Sequence, residues 1–534
     1  MKRIVYSILS LLAVLPSWGG QQERVRHTMR RATQYMMEVA SYKGGFVWSY
    51  LPDYSRQWGE LEAWRTMVWL QSPSTPDVGQ LLLDAYHATG DKYYYDCACQ
   101  VAHCIIRGQL PCGGWNYMFD YESEENTKRW YATIGHQAWR LEEFQHYYGN
   151  ATFDDEATSH SAEFLLRIYL EERDSAFLAP LQRAISFFLE SQYADGGWPQ
   201  RYPLMYNHPF RGKADYSSFV TINDDVMPQN IDFLLQCYTS LGMEELREPI
   251  IKAMHCLRIL QQPEPLSGWA DQYSVAPDNI NIRYPAHARS YEPAAVNTGT
   301  TTAMIQLMLK FFRQTGDKSF LAGIPQAIRF IESQQLPSEW ITKLGRRPLN
   351  EGEILVPRFI DIVTNKPLYV HRKGSNVVNG EYYTDSIPEG TIAHYSSFFT
   401  ANPSALRKAL QEAQALDTNQ LRAHSPLKKA GHSGPLDYYY NQSNGPARYP
   451  YRPDVEQIIS SLDNQGRWIT IFRQISNPYK PIPADMPTQS DDRRYSQSMV
   501  GDEYDTSPFE NHHVKGISTR TYIWNMVALI NSIR

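Results

Sequence analysis

Four stretches of the chain repeat one plan: an apolar helix, a short polar turn, a second apolar helix, then glutamine and a tryptophan-bearing loop. They are QLLLDAYHATGDKYYYDCACQVAHCIIRGQLPCGGW, EFLLRIYLEERDSAFLAPLQRAISFFLESQYADGGW, IDFLLQCYTSLGMEELREPIIKAMHCLRILQQPEPLSGW and IQLMLKFFRQTGDKSFLAGIPQAIRFIESQQLPSEW. Their closing tryptophans, Trp115, Trp198, Trp269 and Trp340, lie 83, 71 and 71 residues apart. In the second unit Phe164, Leu165 and Ile168 form one apolar stripe, and Leu181, Ile185, Phe188 and Leu189 form another, each at helical spacing. A lone hairpin cannot bury two such stripes, so successive hairpins must pack side by side. The expected fold is therefore all-α, stacked hairpins that make an open solenoid or close into an α/α toroid; in a ring the post-tryptophan loops gather on one face and carry any site. RFIDIVTNKPLYVHRKGSNVVNGEYY, from Arg358 to Tyr383, breaks the plan. Its β-branched and aromatic content predicts two or three short strands, a small β element near residues 355–385 laid over the ring.

The first twenty residues carry Lys2 and Arg3, an apolar run from Ile4 to Leu15 and small residues near Ser17 to Gly20. That is the layout of a secretory signal, too short to span a membrane, and no later run of eighteen apolar residues follows. A secreted or periplasmic protein without a membrane span is expected. The net charge of −6 argues against a nucleic-acid partner. Six cysteines are too few to staple a chain of this length, and Cys97, Cys99 and Cys104 share one helix-like segment, where thiols read as core residues.

The second repeat runs on where the others do not, through GGWPQRYP to TINDDVMPQNIDFLL. Structure alone accounts for much of this. Gly196 and Gly197 read as a left-handed helix end with Trp198 packed on the next hairpin, and Asn223, Asp224 and Asp225 read as a helix N-cap. Taken in order, however, DDEATSHSAEFLLRIYLE, GGWPQRYP, TINDDVM, SGWADQYS, PAHARSYEPAAVN and VPRFIDIVTNKPLYVHR resemble the pectate lyases of polysaccharide lyase family ten, which are α/α toroids. The resemblance spans about residues 151–375. It divides the chain into a signal (1–20), an N-terminal extension with the first hairpin (21–150), a lyase-like core (151–375) and a C-terminal extension (376–534).

That resemblance implies β-elimination in a 4-linked galacturonan, an acidic plant-type polysaccharide, with loss of the C5 proton and of the C4 oxygen. The developing enolate needs its carboxylate neutralised, which calcium does in this family, while an arginine takes the proton. Arginine is a poor base, so it is expected in a strongly cationic pocket. Carried onto this chain, the resemblance makes Arg358 the base and Arg289 and Arg372 the uronate-carboxylate ligands. Trp198, Tyr202 and Asn223 would line the cleft, and Asp224, Asp225 and Asp271 would supply oxygen ligands to Ca2+. The chain departs from the family at Ser274, where an acidic residue is usual; Asp271 is the substitute. Two other readings are a non-catalytic glycan-binding relative and an α/α-toroid glycoside hydrolase using acids such as Asp271 and Glu292. A terpene cyclase, which also repeats Gly-Trp segments, lacks support because no Asp-x-Asp-Asp cluster is present.

Overall fold

The computed structural model describes residues 15–135, 142–205, 215–276, 279–344, 346–373, 381–388, 396–431, 438–441, 454–472 and 514–534. The repeat folds as helical hairpins. Helix α1 (Leu15–Tyr35) precedes the pairs α2/α3 (Thr75–Thr89, Lys92–Arg107) and α4/α5 (Ala157–Glu172, Ser175–Ser191). Then come α6/α7 (Val226–Leu241, Arg247–Ile259) and α8/α9 (Thr298–Thr315, Ile324–Ser333), followed by α10 (Pro403–Gln414) and α11 (Thr519–Ile533). The turns have a common chemistry: Asp91, Asp174 and Asp317 each accept a hydrogen bond from the backbone N–H two residues on, starting the second helical segment.

The first helix of each pair is the inner one. α2 and α4 are buried almost all round along their first eleven residues, whereas α9 buries only one face. Inner helices touch in series, α2 on α4 and α4 on α6, and α10 packs on α8 and α9. At the other end α11 packs on both α1 and α2, so segments from opposite ends of the chain make one further hairpin, sealed by the hydroxyls of Thr33 and Tyr522 2.9 Å apart. The arrangement is an all-α, α/α-toroid architecture.

The repeated glutamine and tryptophan have defined jobs. The indole N–H groups of Trp115, Trp198 and Trp269 reach back to the carbonyls of Ile105, Phe188 and Leu257, at 2.7–2.8 Å, closing each outer helix. The amides of Gln109, Gln192 and Gln261 donate twice, to their own loop and to the next outer helical segment at Pro180, Pro249 and Gly323. Each glutamine thus staples its hairpin to the next. Gly196, at φ +95°, comes so close to the following outer helix that a Cβ there would lie 2.5 Å from the Lys252 carbonyl. It sits in a turn beyond the helix end rather than in the left-handed cap expected from sequence, because α5 already stops at Ser191.

The fourth copy does not follow. Trp340 lies in the short helix Glu339–Lys343, half-buried and stacked on Phe398. The plan reappears instead at Trp468, whose indole N–H reaches the Ile458 carbonyl at 3.0 Å, with Gly466 at φ +86° against the Arg31 carbonyl of α1.

The β element near residues 355–385 is present. Ile354–Pro357 pairs with Phe398–Ala401, and Ala295–Asn297, Phe359–Asp361, Pro367–Lys373 and Glu381–Asp385 form a four-stranded antiparallel sheet. Among the described residues there are four further sheets, of two to five strands, which the sequence reading lacked. One joins Ser49–Tyr50 to Val514–Ser518, so the two extensions interlock. All six cysteines are free thiols, four of them buried. No described helix is long and apolar enough to cross a membrane; most of the expected signal segment lies outside the described residues.

Candidate active site

The site grows out of two helix starts. Before α4 the backbone runs through Asp155 and Glu156 at φ +46° and +64°, and before α6 through Asp224 and Asp225 at φ +53° and +55°. Non-glycine residues in this left-handed region carry roughly 1–3 kcal/mol of strain each, which persists where the surroundings over-determine the geometry. The helix-cap reading of Asn223 to Asp225 is corrected here: Asp225 occupies the cap position of α6, but its side chain makes no capping hydrogen bond. The strained turns swing carboxylates toward a buried centre instead.

That centre is Arg289, 2% exposed. Its Nε donates to Glu292 (3.0 Å), Nη1 to Asp154 (3.3 Å) and Nη2 to Asp224 (2.8 Å), and Glu143 stands 3.6 Å from Nη1. One guanidinium thus organises four carboxyl groups. Expected to face a uronate, Arg289 is placed as an internal counter-charge, because α4, α6 and the Arg289–Glu292 turn all deliver acids to it. Asn223 bridges Asp224 (2.7 Å) and Glu292 (3.0 Å) through its amide N–H groups, while its Oδ1 is buried with no hydrogen-bond partner. The Tyr117 hydroxyl donates to Asp154, and Gln71 donates to both Asp155 (2.6 Å) and Glu60 (2.8 Å).

So many acids in one dry place cannot all be ionised. Burial pushes the carboxyls of Asp155 and Asp224 well above the usual range, with neighbouring Asp154 adding to the effect. Burial likewise raises Asp271 and Glu292, and lifts Glu143 to about 8. Asp154 alone goes the other way: burial is outweighed by the charge of Arg289 and the Tyr117 hydroxyl. Burial thus favours the proton-bearing form at Glu143, Asp155 and Asp224, while Asp154 keeps its charge beside Arg289.

Asp271 connects this cluster to Arg358. Its backbone carbonyl accepts from the N–H groups of Ile222 (2.8 Å) and Asn223 (3.3 Å), and its carboxylate accepts from Asn297 (2.9 and 3.0 Å) and Thr300 (2.5 Å) at the start of α8. Arg358, half-buried between two strands, lies close enough to favour the ionised form of Asp271. Its Nε donates to the Ser396 carbonyl (2.5 Å), and Nη2 of Arg346 donates to the hydroxyl of the same serine (2.9 Å). Two guanidinium groups therefore flank one residue.

The remaining expected site residues are dispersed. Trp198 is fully buried and presents no ring face to a sugar. Tyr202, half-buried, sits in a short strand paired with Ala151 beside the start of α4. Arg372 pairs with Tyr382 in the four-stranded sheet, its side chain lying outside the described residues. The three carboxylates expected to hold calcium do not converge. Asp224 is committed to Arg289 and Asp271 to Asn297 and Thr300, and no group of three or more Asp, Glu, His or Cys side chains among the described residues is arranged for a metal ion. Sequence reasoning missed Glu143, Gln71, Glu60 and Tyr117; the acid pair Glu142–Glu143 between aromatic residues was the one visible signal.

Residues 123–384 match the family model described as pectic acid lyase. Among solved structures, a variant of a family 10 polysaccharide lyase from Cellvibrio cellulosa, in complex with trigalacturonic acid, is similar at 16% identity. That match covers 64% of this chain and 98% of the other, with a TM-score of 0.39. A family 76 glycoside hydrolase from a bovine Bacteroides thetaiotaomicron strain is similar at 9% identity over 95% of this chain and 77% of that one, TM-score 0.39. No curated protein matches. Over residues 123–384 the chain is a divergent member of the pectic acid lyase family.

Proposed function

We propose that the protein is an exported lyase that cleaves a galacturonan or related uronic-acid glycan by β-elimination. The observation that supports this best is the placement of Arg358 beside Asp271, at the margin of a buried carboxyl cluster gathered round Arg289, within the stretch matching pectic acid lyases. A polyanion would be repelled by seven ionised acids. Protonated carboxyls instead donate hydrogen bonds to its carboxylates, and Asn223 Oδ1 offers an unmet acceptor for a sugar hydroxyl.

In this reading Arg358 removes the C5 proton, the C4–C5 double bond forms as the C4–O bond breaks, and the departing oxygen takes a proton from solvent; Arg346, sharing Ser396 with Arg358, places a second positive charge that disfavours the protonated guanidinium. Arg372 and Tyr202 contact the uronan. Arg289 holds the acids in place. No step is assigned to calcium, since the expected ligands do not fit one.

Incubation with polygalacturonate tests the reading: absorbance of the unsaturated uronide must grow, and must not when Arg358 is replaced by alanine. Glycoside hydrolysis is a second reading, favoured by Glu143, whose carboxyl burial lifts to about 8 beside Arg289, because a general acid needs its proton at working pH. New reducing ends without unsaturated product would select it.

A further inference from the structure

Outside the carboxyl cluster, a cavity of about 300 Å³ opens between the hairpin Gln57–Trp58/Glu62–Ala63 of the N-terminal extension and the helix Glu124–Thr133. Its lining includes Arg56, Arg65 and Arg129 and the single acid Glu62; Arg56 is paired with Glu62 through two bonds of 3.3 Å, which leaves Arg65 and Arg129 as the excess positive charge, in a chain whose net charge is −6. Each guanidinium lies over an aromatic ring: Arg56 over Trp58 (4.9 Å), Arg65 over Tyr54 (5.5 Å) and Arg129 over Trp64 (4.5 Å). Arg65 is held by the backbone carbonyls of Val39, Ala40 and Ser41, each at 3.0 Å, which fixes its direction without cancelling its charge. The Trp130 indole N–H donates to the Glu62 carbonyl (2.8 Å) and locks the helix to the hairpin.

A second observation concerns the cavity wall. Gln57 is 3% exposed; its amide N–H donates to the Trp64 carbonyl (2.7 Å), while its Oε1 is buried with no hydrogen-bond partner. A buried acceptor left unmet is costly and is normally satisfied by a donor. The cavity therefore asks for an anion that also carries a hydroxyl, and its aromatic walls suit a sugar ring. The hairpin tip points the same way, for Glu60, between its strands, shares Gln71 with Asp155 of the carboxyl cluster.

We propose that this cavity is a remote uronate subsite, taking one galacturonate of a chain whose other end lies at the carboxyl cluster. The choice of uronate among hydroxy-acids rests on the proposed lyase reading. The carboxylate meets Arg65 and Arg129, and a ring hydroxyl donates to Gln57 Oε1.

The test is calorimetric titration of the full chain with D-galacturonate, galactose and inorganic phosphate, repeated for Arg129→Gln and Gln57→Leu. Arg129 is exposed, so its variant should melt as the wild type does. Galacturonate should bind saturably and galactose should not, with affinity falling about tenfold in Arg129→Gln. The variant should also raise KM for long polygalacturonate while leaving kcat unchanged. Two results overturn the proposal: galacturonate affinity unchanged in both variants, or phosphate binding as well as galacturonate. If the wild type makes no unsaturated product yet binds galacturonate in a way that Arg129→Gln weakens, the lyase reading fails and the subsite stands.

Discussion

Nη2 of Arg289 donates to Oδ2 of Asp224 across 2.8 Å, joining the start of α6 to a turn 65 residues further along the chain. Together with the bonds to Asp154 and Glu292 it makes this guanidinium the fixed point of the site. Replacing it with methionine leaves buried carboxyls without their counter-charge, which costs about 3–5 kcal/mol. Denaturant unfolding of Arg289→Met should show that loss, growing as pH rises and more of the carboxyls are driven to ionise.

The pH dependence of the wild type has a defined sign. Burial pushes Glu143 up to about 8 from 4.5. His160 is raised from 6.5 to about 10, since Glu156 and Asp77 outweigh the opposing effect of burial. Both groups hold their proton more tightly when folded. Their stabilisation is complete below the unfolded pKa and is lost as pH rises through the folded one. The Tm should therefore fall between about pH 4.5 and 8 through Glu143, and between about 6.5 and 10 through His160. Scanning calorimetry of His160→Gln should flatten only the upper limb; a wild-type Tm that climbs from pH 5 to 9 would contradict both assignments.

Arg358→Ala and Arg358→Lys separate charge from proton transfer. If Arg358 is the base, both variants should lose at least a hundredfold in kcat on polygalacturonate, the usual scale for a general base. Because the side chain is only half-buried, their unfolding midpoints should stay near that of the wild type. Full activity in either variant removes Arg358 from the role.

The repeat itself makes a stability prediction. Gly90, Gly242 and Gly316 close the inner helices of three hairpins at φ +69°, +77° and +66°, but the second hairpin has Arg173 there, at φ +55°. Arg173→Gly should relieve that strain and stabilise the protein by about 0.5–1 kcal/mol. The readout is the urea midpoint, with activity unchanged.

Calcium affinity is a quantity to measure on the free protein. With Asp224 and Asp271 engaged by Arg289, Asn297 and Thr300, titration of calcium in the absence of glycan should reveal no saturable micromolar site. A tight site would mean that these carboxylates rearrange.

The hairpins were legible because an apolar stripe at helical spacing has few ways to be buried, and Trp115, Trp198 and Trp269 do close their helices as a repeat requires. Trp340 misled because its loop has no glycine to allow close approach, while Trp468 was overlooked because its helix, Val455–Ser461, is only seven residues long. Asn223, Asp224, Asp271 and Arg358 were named from motifs, and the structure places the first two round Arg289 and the last two side by side. The role of Arg289 was not, since a motif gives residue types but not which charges fold in from Glu143, Asp154 and Glu292 to surround it. Nor does the order of residues disclose that two successive aspartates take positive φ rather than cap a helix.

The hairpin made of α1 and α11 has a consequence for how the molecule assembles. Thr33 and Tyr522 meet across 489 positions, whereas the internal hairpins close over short turns. The entropy of closing so long a loop is met only after the intervening units have already brought their ends together. The ring is thus fastened last at the seam between its two extremities. That seam should be the first place to open under load, releasing both ends while the central hairpins and their carboxyl cluster stay formed.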